Sequence, residues 1–135
     1  MPPERGIPGS PADWLIRARS DLALAKMPLP EDALYEDLCF HAQQAAEKAI
    51  KAVFRAHRLE FRYTHDIADL LNGLRKENIE IPENVYDAVD LTEFAWGGRY
   101  PGWDELISEA EYRHAVSLAE RVVRWAESLV EGKTP

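Results

Sequence analysis

From residue 31 to residue 58 apolar residues recur at intervals of three and four: Leu34, Leu38, Ala42, Ala45, Ala49, Ala52 and Ala56, with Val53 four beyond Ala49. That spacing lines one face of a helix. A strand would need alternation with a period of two, and no segment of the chain sustains it between turn signals. Most of these residues are alanines. Small side chains let neighbouring helices approach closely, so the segment reads as the central helix of a bundle.

The other helices are read around it. Ser10-Pro11-Ala12-Asp13 combines a capping serine, a first-turn proline and an early carboxylate. It opens a helix over residues 11–26 with Trp14, Leu15, Ala18, Leu22 and Ala25 at helical spacing, stopped by Pro28-Leu29-Pro30. Thr64 is read as the cap of a third helix, with Ile67, Leu70, Leu71 and Leu74 inward. Ile81-Pro82-Glu83 starts a fourth that runs to about residue 95. The glycines and proline of residues 96–103 mark a loop. A last helix is expected over 105–130, with Ala115, Leu118, Val122, Trp125 and Leu129 on its apolar face. The predicted fold class is all-α: an antiparallel up-and-down helical bundle of four main helices plus a shorter fifth. It occupies residues 11–131 and follows a disordered arm, residues 1–10, that holds three prolines and two glycines.

A chain of 135 residues, 46% apolar, can bury one core without staples. Its one cysteine, Cys39, excludes an internal disulfide and reads as a small core residue in a reducing, cytoplasmic setting. No apolar run reaches the length of a membrane span, and the first residues lack the apolar stretch of a signal peptide. The net charge of −8 argues against broad, sequence-indifferent nucleic-acid binding, where phosphate contacts dominate. It leaves room for a local basic groove. Phosphate-binding glycine loops, the nucleophile elbow and the HExxH pair are all absent from the sequence, so neither metal nor cofactor is expected.

The polar side of the second helix carries the first candidate site. His41, Gln44, Lys48, Lys51, Arg55 and Arg58 follow intervals of three, four, three, four and three, which places them along one helix edge, and Arg62 would continue the spacing. Such an edge is either a positive strip for phosphate, RNA or an acidic partner, or a solvated helix face. As exposed charges, Lys51 and Arg55 should be replaceable by glutamine with little change in stability. In the loop, Arg99 and Tyr100 lie between Trp96 and Trp103; arginine can grip phosphate and the rings can stack on bases, or the aromatics can plug the end of the bundle. In His65-Asp66 the carboxylate either tunes a general base or favours the start of the third helix.

As a set, these pieces resemble the HEPN family, the nucleotide-binding domain of higher eukaryotes and prokaryotes. The resemblance rests on the run from Trp14 to Ala25, on Phe40-His-Ala-Gln-Gln-Ala-Ala-Glu-Lys-Ala-Ile-Lys-Ala-Val53 followed by His65-Asp-Ile67, and on Arg99-Tyr-Pro101. It implies a dimeric antiparallel bundle that binds nucleotide or RNA and partners a minimal nucleotidyltransferase in a toxin–antitoxin pair. Lys48, Lys51, Arg55, Arg58, Arg99 and Tyr100 are then the candidate contacts. The alternatives are a metal-independent endoribonuclease toxin and a purely structural helical adaptor. Ribonuclease relatives use Arg-x(4–6)-His near the final loop, but here no histidine follows Arg99 before His114. Arg58 and His65 have the required gap at a different place in the chain, which leaves them as the catalytic candidates.

Overall fold

The computed structural model describes residues 6–95 and 106–132. It contains α1 (Pro11–Ala25), α2 (Tyr35–Ala56), α3 (Ile67–Lys76), α4 (Glu83–Tyr86), a 3-10 helix (Asp87–Phe94) and α5 (Glu109–Glu131). Strands are absent among the described residues, and no helix there is long and apolar enough to cross a membrane. The all-α bundle expected from periodicity is the observed one. Residues 1–5 of the expected arm and the aromatic loop, including Arg99 and Tyr100, lie outside the described residues.

α2 is the centre of the bundle, touching α1, α3, α5 and the 3-10 helix. Ala42, Ala45, Ala46, Ala49 and Ala52 are all fully buried, as the close-approach reading requires. Leu15 and Ala18 from α1, Ile67, Leu70, Leu71 and Leu74 from α3, and Leu118, Ala119 and Val122 from α5 complete the core. Cys39 is buried there as a free thiol. Three expected core positions sit outside: Leu34, which is 44% exposed just before α2, Ala56 at the last position of α2, and Leu129, which is 41% exposed near the end of α5.

The helix ends show which local signals were used. Ser10 accepts from the Asp13 amide at 3.2 Å with Pro11 behind it. α3 is capped by Asp66, which accepts from the Asp69 amide at 3.3 Å. Thr64, expected as the cap, instead accepts from the Asp66 amide at 3.0 Å and shapes the turn before the helix. α5 begins at Glu109 rather than 105, because Ser108 and Glu111 form a reciprocal capping box. Just upstream, the Ile107 amide donates to the buried Glu36 carboxylate at 2.8 Å, tying the entry of α5 to the start of α2.

The expected fourth helix is a four-residue α-turn followed by a 3-10 segment. Ala88, Leu91 and Phe94 are buried, while Asp87, Asp90 and Glu93 are exposed. Both triplets repeat every three residues, and side chains three apart eclipse in a 3-10 helix. The α-helical period would have rotated one triplet off the core.

Candidate nucleotide and RNA interface

The positive edge of α2 is for the most part paired from within. Lys48 donates to Asp21 of α1 at 2.6 Å, and the same carboxylate holds His41 Nδ1 at 2.9 Å. Lys51 is buried, donates to Glu47 at 2.8 Å, and lies over the rings of Trp14 and Phe61 at 5.4 and 5.2 Å. Trp14 and Phe61 themselves meet edge to face at 5.7 Å. Lys51 therefore cements α1 to α2 and to the segment after α2. The expectation that it could be exchanged without loss of stability is corrected: it is a buried, paired cation.

Glu47 is the hub. One carboxylate oxygen accepts from Lys51 Nζ; the other accepts from Gln43 Nε2 at 2.9 Å and from His65 Nδ1 at 2.8 Å. Burial pushes its pKa up, but the hydrogen bonds from Lys51, His65 and Gln43, with the charge of Lys51, outweigh burial and hold it below the ordinary carboxylate value. Gln43, Glu47 and Lys51 stand at successive intervals of four on the inner side of α2. Sequence reasoning passed over Gln43, Glu47 and Asp21. The interval-of-four run among buried alanines was the available signal for the first two; Asp21 had none beyond its place on α1.

What stays open to solvent lies in the last turn of α2 and past its C-terminal end. Arg55 is about two-fifths exposed and meets Glu60 at only 3.5 Å; Arg62 is 81% exposed and meets Asp69 at 3.3 Å. The helix ends at Ala56, so Arg58 is not on its edge as expected, and the strip stops short. Arg58 adopts a left-handed conformation with φ of 58°. Its amide donates to Arg55 O at 3.1 Å and the Leu59 amide to Phe54 O at 2.9 Å, the bond pattern of a Schellman cap. Glycine is the usual residue there, and Asn78 fills the equivalent place after α3.

His65 closes this end. Its half-exposed ring is oriented by Glu47 through Nδ1, so the neutral tautomer that donates to Glu47 carries its lone pair on Nε2. Asp66, beside it, serves as the helix cap rather than as the partner of the imidazole. Among the described residues no group of three His, Cys, Asp or Glu side chains is arranged to hold a metal ion.

The bundle, its alanine-rich central helix and the polar hub define a small all-α domain of a known class. The HEPN domain model matches residues 11–129, and the chain belongs to the HEPN domain family. It is similar to TT1696 from Thermus thermophilus, known from a crystal structure, at 30% identity and a TM-score of 0.73, with 88% of this chain and 97% of that one covered. No curated protein matches the chain.

Proposed function

We propose that this chain is a nucleotide- or RNA-binding and interaction module whose contact surface is the connection from α2 to α3, with Arg55, Arg58 and Arg62 as phosphate contacts. On this reading it acts as a cytoplasmic homodimer and partners a minimal nucleotidyltransferase in a toxin–antitoxin pair. Family membership supports the nucleotide or RNA part. The observation that carries the surface is Arg58: an exposed arginine held at positive φ, where glycine would avoid the steric cost. Backbone strain of this kind concentrates at working sites.

The test uses that cost. Arg58→Gly should raise stability by about 0.5–1 kcal/mol, because relief of the left-handed strain exceeds the added freedom of the unfolded chain. The same change should weaken binding of a labelled single-stranded RNA, measured by fluorescence anisotropy, and flatten its dependence on salt. A more stable variant that binds as the parent does over a full salt series would reduce Arg58 to an ordinary helix terminus.

A second reading, a metal-independent endoribonuclease, is favoured by one contact: the buried carboxylate of Glu47 orients His65 as a general base would need. The binding reading expects His65→Ala to leave any RNA cleavage in EDTA unchanged. A large loss of cleavage with fold and assembly intact would favour the enzyme instead.

A further inference from the structure

A second charged surface lies on α5, unrelated to the hub at Glu47. Two open concavities, of about 440 and 350 Å³, share Arg121 and Arg124 and run into one another along that helix. Lys26 from the end of α1 and Arg113, Arg121 and Arg124 from α5 line them, against one carboxylate, Glu120. These cations stand out in a chain of net charge −8. Beneath them the lining is apolar: Val116, Val85 and Trp125 are buried and form the floor.

We propose that this groove docks an acidic amphipathic segment of a partner protein. The cations form a rim over an apolar floor, which matches a helix or turn with apolar residues on one side and carboxylates flanking them. Arg113 and Arg124 are eleven residues apart on α5, roughly 17 Å at the helical rise, or about three turns of a docked helix. The rim is only loosely engaged. Arg113 meets Glu109 at 3.0 Å, Arg124 and Lys26 share Glu120 at 3.4 and 3.6 Å, and Arg121 reaches Asp87 at 3.7 Å and the Asn84 carbonyl at 3.5 Å. Exposed pairs of this kind contribute little, so a partner's carboxylates can replace them at small cost.

A nucleic acid fits the groove less well. Its one tyrosine, Tyr112, is stacked on Tyr35 at 4.8 Å and donates its hydroxyl to the Ala25 carbonyl at 2.6 Å; Trp125 is buried. Neither ring is open to stack on a base. A phosphate backbone would use the rim alone and make no use of the apolar edges of Val85, Val116 and Trp125 that line the groove.

The probe is a fluorescein-labelled peptide of about 14 residues, roughly 21 Å as a helix, with leucines at helical spacing and glutamates elsewhere. Anisotropy with the full chain should show saturable binding. A peptide of the same composition, with its order scrambled to break the apolar stripe, should bind roughly tenfold more weakly, and Arg121→Gln/Arg124→Gln should lower affinity by a similar factor. Lys76→Gln, a lost cation on α3, should have no effect, and circular dichroism should show each variant folded. The proposal is overturned if the amphipathic peptide does not saturate or is indifferent to the double variant. It is equally overturned if the double variant weakens a labelled oligouridine but not the peptide, or if light scattering shows that the variant dissociates a dimer, which would make the groove an interface between copies.

Discussion

Replacing Glu47 with leucine is expected to destabilise the protein by about 3–5 kcal/mol, the range for removing one partner of a buried ion pair. The loss comes from what remains. Lys51, buried between Trp14 and Phe61, keeps a positive charge with no carboxylate to meet it, and Gln43 and His65 lose the same acceptor. For a domain of this size the midpoint of thermal unfolding should fall by roughly 10–20 °C. Glu47→Leu/Lys51→Met, which removes both charges, should recover roughly 2 kcal/mol or more of that loss. Urea unfolding of the four proteins in the cycle checks this; strictly additive losses would show that the pair is not coupled.

The same residue predicts a pH dependence. The folded pKa of Glu47 lies below its unfolded value, so its contribution is complete well above about pH 4.3 and is lost as the carboxylate is protonated at lower pH. The stability gap between parent and Glu47→Leu should therefore be largest near neutrality and narrow in acid. A gap that widens below about pH 4 would mean that the carboxylate is destabilised in the folded state.

The second large effect is expected in the centre of the core. Ile50 is fully buried on α2, the helix that every other long helix touches. Ile50→Ala removes the outer part of a branched side chain where close-packed neighbours can relax little, and should cost about 3–4 kcal/mol; Ile50→Val should cost about 1 kcal/mol. Chemical denaturation with an unchanged slope would confirm that only stability moved. A cost under about 1 kcal/mol for alanine would mean that the surrounding helices collapse onto the space.

How far these features could be read without coordinates differs from one to the next. The inward faces of α2 and α3 follow directly from residue spacing, because a helix of known period carries its apolar stripe wherever it packs. Ser10, Asp66 and the Ser108–Glu111 box act within a few residues of themselves. The 3-10 segment was also legible in principle: Ala88, Leu91 and Phe94 repeat at three, but intervals of three also occur in an α-helix, and the start at Ile81-Pro82-Glu83 says only that a helix begins there. Its commitment to the tighter form is tied to packing, with Thr92 accepting from the Ile67 amide at the start of α3 at 3.2 Å.

The charged edge of α2 separates the two kinds of information. The sequence by itself determined that Lys48, Lys51 and Arg55 share an edge, since that depends only on the helical repeat. It could not determine what that edge faces. Lys48 meets Asp21, 27 positions earlier on another helix, and Lys51 is enclosed by Trp14 and Phe61 from segments on either side of α2. Whether a cation is a ligand for something outside or a strut for the fold depends on which side chains the neighbouring elements bring within about 4 Å, where the attraction in a poorly solvated site becomes large. Helix periodicity is local chemistry; the pairing that made two of these cations structural, and left Arg55, Arg58 and Arg62 facing solvent, came from the way α1, α2 and the segment before α3 pack together.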